Sequence, residues 1–484
     1  MSIKLNDKVK IGTILAVAGC LFCALSIVNH LMFKTFALDL GLYNHALFDY
    51  SHLRIDDCSM FKANPQYILS DHFDLYLIIL SPLVFLFGNF TLLFVQVAAV
   101  VLGGLGVYRL MRLYVDDGFL PLMATIVFFS FFGIWHALSF DYHSNVVASM
   151  MLPWLFYYFK RKKFGWATLF AFLFVIGKEN MSLWLSFIAL GLIWDYRKER
   201  KSLLVLACYA VFSLIYFYVV NSIVMPALGG SGGGFQRYAY LGNSYAEIAS
   251  NLLQNPLESI KLLFVNTSGN VSKNGLKLEF YICALTSGLL LTCLKPNYLF
   301  MLIPIVAQKM LASDTMFWGV TQQYSVEFAP IVTVASFIVI ARIRKPIGAK
   351  AASLGLFAAS VVTLFYTVGT PKSYFLPDKL RIYQKQHYQQ AYFSPEDARK
   401  LISQIPDEAS VCATSVFVPH LALRDEIYDF PIGMNHNPEY CLLVRDFNRY
   451  SEQNRELVRQ MLDEQEDYEI ISSAENLYLL KRRQ

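Results

Sequence analysis

The sequence predicts a polytopic α-helical membrane protein with a small α/β domain at its C-terminal end. Three observations point there. Of 484 residues, 56% are hydrophobic and only 16% are charged, well short of the roughly one quarter charged that soluble domains carry. Long apolar segments recur up to residue 369, separated by short basic clusters. From residue 370 onward the chain turns charged, with helix and strand patterns in alternation.

The first apolar run, Ile11 to Phe33, follows a lysine-bearing N-terminus. It is longer than the ~7–15 residues of a signal-peptide core and no small-residue cleavage pattern follows, so it reads as a retained span. At ~20 apolar residues per crossing, further candidates lie at 90–108, 119–138, 145–159, 165–177, 180–194, 202–226, 276–294, 297–311, 324–341 and 350–369, giving about eleven spans. Segment 73–88 is also apolar, but it is short and contains Pro82. That suits a re-entrant or interfacial piece. Charge decides the matter. If 73–88 does not cross, then Lys4/Lys8/Lys10, Arg109/Arg112, Lys160 to Lys163, Arg197 to Lys201, Lys295 and Arg342/Arg344/Lys345 all fall on the cytoplasmic side. The N-terminus is then cytoplasmic, and a membrane domain (1–369) precedes an extracytoplasmic domain (370–484).

Two outer loops result, 34–89 and 229–275. The second opens with Gly229-Gly230-Ser231-Gly232-Gly233-Gly234, a permissive backbone joint. It continues from Asn251 to Phe264 with the spacing of a helix lying along an interface. It reads either as a mobile loop or as one that closes over substrate. In the tail the patterning predicts a helix at 395–404, a strand at 410–415, a helix at 451–465 and strands at 468–472 and 477–481. Of eight cysteines, Cys20 and Cys23 lie inside the first span, and Cys412 and Cys441 share the tail, either paired or single in strands.

The polar groups that could do chemistry sit at the outer ends of these spans. Charges facing lipid cost several kcal/mol, so such groups line a cavity or a wet surface. Asp39 follows the first span among apolar neighbours and reads as a general base or as a helix cap. His45 lies six residues on. Asp71 and Asp74 flank His72, an arrangement for a divalent cation, for an anionic phosphate, or for a simple turn. Asp141-Tyr142-His143 fills one outer turn and Lys178-Glu179 the next. The latter is either a self-neutralising pair or a lysine free to bind phosphate. Gln323, Tyr324 and Glu327 stand at the outer end of a later span.

Net charge is +5, but the basic residues are spread among the short loops, so no nucleic-acid surface is implied. The chain has no dinucleotide or phosphate loop of the GxGxxG or GxxxxGKS/T type, no GxSxG elbow and no HExxH. What remains suits a reaction between a lipid-linked phosphate and a polar acceptor.

Taken together, Asp39-Leu40-Gly41, Asp71-His72-Phe73, Asp141-Tyr142-His143, Lys178-Glu179, Gln323-Tyr324 and the tail stretch from Ile405-Pro406 through Cys412-Ala413-Thr414 and Pro419-His420 to Phe430-Pro431 resemble a family of bacterial integral membrane proteins, domain of unknown function 2079. That family is similar in layout to GT-C glycosyltransferases. Leu38 stands where phenylalanine is expected, and Asp74-Leu75 where Ser-Pro is more usual. The resemblance implies a GT-C-like enzyme of the bacterial cytoplasmic membrane. It would take sugar from a polyprenyl-phosphate donor and pass it, with inversion, to a glycan, lipid or protein acceptor on the outer face. Asp39 is then the base, and Lys178 with His143 or His72 binds the donor phosphate. No cofactor is required by this reading, and a divalent metal ion stays open. The alternatives are a transporter or lipid flippase, and a non-catalytic surface-binding protein.

Overall fold

The computed structural model describes residues 5–56, 58–61, 66–230, 233–465 and 467–483. Lys4 of the first basic cluster, and Ser231 and Gly232 of the glycine joint, lie outside them. The chain forms two compact units: Met1–Cys23, Leu69–Leu75 and Val95–Leu380 make one; Ala24–Ile68, Tyr76–Phe94 and Arg381–Gln484 make the other.

Among the described residues, five helices are long and apolar enough to cross a membrane: Asn6–Leu31, Tyr76–Met111, Arg200–Ala227, Val271–Thr292 and Pro346–Gly369. A sixth is added if the pair Phe119–Phe129 and Phe132–Leu138, bent by 47°, is one span. The bend falls where Phe131 adopts an extended conformation. Phe164–Val175, Met181–Tyr196 and Phe328–Ile340 are apolar but shorter. Within the 36-residue run from Tyr76, short helical pieces break at Ser81–Leu83, which holds Pro82, and at Gly88 in the left-handed region. Only Thr91–Met111 is a continuous α-helix of spanning length.

In the first unit, backbones approach closely where side chains are absent. A Cβ on Gly133 would lie 2.5 Å from the Ser325 carbonyl oxygen, and one on Gly191 would lie 2.6 Å from that of Asn297. Small residues at crossings let backbones meet where no hydrophobic force separates protein from lipid. The amphipathic stretch read at 251–264 is two helices, Tyr245–Gln254 and Pro256–Leu262, broken at Asn255-Pro256 because proline cannot continue a helix. Leu253, Leu257, Ile260 and Phe264 are exposed along it.

The second unit is built on a five-stranded sheet: β1 (Val411–Ala413), β2 (Ile427–Asp429), β3 (Tyr440–Val444), β4 (Tyr468–Ala474) and β5 (Leu477–Arg482), in the order β2-β1-β3-β5-β4. β1 runs parallel to both β2 and β3, while β5 is antiparallel to β3 and β4. Helices Pro395–Ile402 and Glu452–Asp463 start at Ser394 and Ser451, whose hydroxyls accept the Asp397 and Asn454 N–H groups. The sequence patterning missed β2 and the central β3. All five residues of β3 are buried, so it has none of the alternation that marks a half-buried strand. Cys412 and Cys441 face each other across β1 and β3 as free thiols.

Residues from the end of the first span and from the first loop complete this core. Phe33, Ala37 and Met60 pack with the sheet residues, the Ala37 N–H donates to Ser415 Oγ at 3.1 Å, and the Asp429 N–H donates to the Met60 carbonyl at 3.1 Å. Replacing Leu442, fully buried in β3, by alanine is expected to cost about 2–5 kcal/mol through lost burial and a cavity, read as a lower unfolding midpoint of the full chain in detergent.

Candidate functional site

The first unit gathers most of the polar residues singled out in the sequence. The turn at 139–143 places Asp141 in the left-handed region (φ 50°), a conformation that Asp tolerates better than most residues. Gln96, fully buried in an apolar helix, clamps the turn: its Nε2 donates to the Asp141 carbonyl and its Oε1 accepts the His143 N–H, both at 2.9 Å. Lys379 Nζ meets Asp141 Oδ1 at 2.8 Å, with both side chains almost wholly enclosed. His143 stacks on Phe140. Burial drives its imidazole well below the ordinary range, and the charges of Lys178, His72 and Lys379 push the same way. His143 is therefore a neutral ring, suited to hydrogen bonding and not to pairing as a cation.

At the neighbouring turn, Lys178 and Glu179 do not neutralise each other directly. Both meet His72: Lys178 Nζ lies 3.2 Å from Nε2, and Glu179 Oε1 lies 3.5 Å from Nδ1. Glu179 also accepts the Phe73 N–H at 3.1 Å. Burial works to raise its carboxyl, but the facing His72 and Lys178 outweigh that and hold it at about 2. Asp71 is exposed, whereas Asp74 is buried. Gln323 is buried and Tyr324 stacks on Phe317. Lys309 knits this segment by donating to the carbonyls of Phe317, Gly319 and Tyr324 at 2.6, 2.6 and 3.1 Å. Asn145 donates to the buried Glu327.

Sequence reasoning did not find Gln96, Lys309 and Lys379. The first two are polar residues inside apolar runs, and that position is itself a signal. Lys379 carries no local signal, because its partner lies 238 residues away.

In the second unit, Asp39 lies half-buried in a π-helical turn, Ala37–Gly41; such turns are frequent at functional positions. His45, on helix Leu42–Ser51, is buried and faces Asp49 Oδ2 and Asp56 Oδ1, each 3.9 Å from its Nε2. Arg54 pairs with Asp49 at 2.9 Å and Asp425 at 2.8 Å. His30 and His420 are stacked, with ring centroids 4.0 Å apart.

A family model described as "Predicted membrane protein (DUF2079)" matches residues 29–479. The chain belongs to this family. The match covers nearly all of both units, in agreement with the apolar helices of spanning length. No curated protein matches the chain.

Two outcomes test these environments. Lys379→Met removes the ammonium that faces Asp141 in an enclosed place and is expected to cost about 3–5 kcal/mol, while the double variant with Asp141→Asn recovers most of the loss; thermal unfolding in detergent reads both. Burial raises the Asp429 carboxyl to about 7, and its Oδ1 meets no donor among the described residues. The folded chain then holds a proton that the unfolded chain releases near pH 4, so this group's contribution to stability is present below about pH 4 and is lost as the pH rises to about 7. Asp429→Asn is expected to flatten that part of the unfolding-temperature profile.

Proposed function

We propose that this membrane protein is a GT-C type glycosyltransferase of about eleven spans in the bacterial cytoplasmic membrane, with its N-terminus cytoplasmic and residues 370–484 outside. It moves a sugar from a polyprenyl-phosphate donor to a glycan, lipid or protein hydroxyl. The observation that supports the reading best is Lys178. Among the described residues, Lys309 and Lys379 spend their ammonium groups on backbone carbonyls and on a carboxylate, whereas Lys178 Nζ lies against an imidazole nitrogen of His72, 3.2 Å away. An ammonium held that way keeps its charge available to a phosphate. Neutral His143 offers a further hydrogen-bonding group in the same unit.

In the reaction proposed, Asp39 takes the acceptor hydroxyl proton and the oxygen attacks the anomeric carbon. The bond from that carbon to the phosphate oxygen breaks, leaving polyprenyl phosphate with the extra negative charge. Lys178 opposes that charge as it develops, which is where preorganised electrostatics lower a barrier most. Apolar helices hold the polyprenyl chain, and the reading assigns the exposed apolar row Leu253, Leu257, Ile260 and Phe264 to the membrane interface.

The test is transfer of radiolabelled sugar from a polyprenyl-phosphate donor by the full chain in proteoliposomes. Asp39→Asn is expected to lower kcat about 10²–10⁴-fold with little change in KM, and Lys178→Met to weaken use of the donor. Full turnover by Asp39→Asn removes the assigned base. Cargo crossing the bilayer with no covalent product replaces the reading with transport.

A further inference from the structure

The second unit contains a group of side chains that the transfer reaction does not use. His45 Nε2, Asp49 Oδ2 and Asp56 Oδ1 come together from helix Leu42–Ser51 and the segment after it, with all three ligand-type atoms within 4.8 Å of one another. The geometry points to a divalent transition-metal site at His45, Asp49 and Asp56, of the zinc or manganese class.

Four observations carry this. The first is the tautomer. His45 Nδ1 lies 3.2 Å from the Ala422 carbonyl oxygen, and a carbonyl only accepts, so Nδ1 carries a hydrogen and donates it there, with Nε2 turned to the two carboxylates. Metal-binding imidazoles are oriented in this way, by donating the other ring N–H to a backbone carbonyl. The second is distance. At 3.9 Å to each carboxylate oxygen, Nε2 is beyond the ~2.7–3.2 Å of a hydrogen bond. Ligand atoms held ~2.0–2.2 Å from a tetrahedral ion stand ~3.3–3.6 Å apart, so the three side chains close on an ion by rotating toward one another.

The third is Asp56 itself. It is 0% exposed; its Oδ2 accepts from the Cys58 N–H and faces Cys58 Sγ, but Oδ1, aimed into the group, meets no hydrogen-bond donor among the described residues. An enclosed carboxylate oxygen with no donor is costly unless a cation satisfies it. The fourth is the donor set itself, one imidazole and two carboxylates brought together. One imidazole with two carboxylates favours zinc or manganese over calcium and magnesium, which prefer all-oxygen cages. Three protein ligands leave a further position for water or an added ligand.

The test uses the full chain in detergent, freed of any affinity tag, stripped with chelator and dialysed. Zinc and manganese are then titrated by calorimetry, with magnesium and calcium as comparisons, and bound metal is counted by mass spectrometry. The expected result is about one transition ion per chain, a higher unfolding temperature when loaded, and affinity at least tenfold weaker in His45→Gln and in Asp56→Asn. The exposed His52→Gln is expected to bind like the unaltered chain. Should the ligand variants fail to fold, cobalt loaded into the unaltered chain gives the ligand-field spectrum of a four-coordinate ion that zinc displaces. Absence of stoichiometric zinc or manganese in the unaltered chain, or undiminished binding in a folded ligand variant, overturns the site. Neither result bears on sugar transfer.

Discussion

The ion pair between Asp141 and Lys379 keeps two full charges enclosed in the membrane unit, and the polar architecture around it depends on that pairing. An isolated buried charge costs several kcal/mol, so a turn carrying one either finds its partner or does not form as seen. Here the pair fixes a left-handed aspartate, Gln96 fixes the backbone on either side, and His143 is thereby held beside Phe140. The neighbouring turn obeys the same rule: Glu179 is answered by His72 and a backbone N–H. Lys309 is answered by three carbonyls. Asp141, Glu179 and Lys309 are each compensated by specific neighbours, and that makes the looser arrangement at Lys178 informative.

Much of this was readable in the sequence where the signal was chemical. Acids, imidazoles and a lysine at the ends of apolar runs marked both turns, because lipid tolerates such groups only at protein or water contacts. His72, Asp141, His143, Lys178 and Glu179 do share one unit. Asp39 and His45 belong to the other. Partners far apart in sequence were not readable: Lys379 to Asp141, and His45 to Asp56, depend on the tertiary fold. Asp71 looked like the carboxylate of its motif, yet it is the exposed one, and Asp74 is buried.

For the fold, periodicity carried the helices and the two closing strands of the tail, whose faces differ in burial. It failed at β3, buried on both sides, and at β2, only three residues long. It also could not show that Phe33 at the end of the first span, with Ala37 and Met60 of the first loop, enters the core of the tail sheet. Composition alone established the membrane class. Five or six helices reach spanning length; the other apolar segments are cut short by proline, glycine and extended breaks that no hydropathy pattern resolves.

The central claim is that Lys178 offers its charge to a lipid-linked phosphate. A cryo-electron-microscopy structure of the full chain in a nanodisc with polyprenyl phosphate tests it most directly. The account predicts phosphoryl oxygens within hydrogen-bonding distance of Lys178 Nζ, with His72 still paired to Glu179. A phosphoryl group seated elsewhere, with Lys178 unchanged against His72, would contradict it.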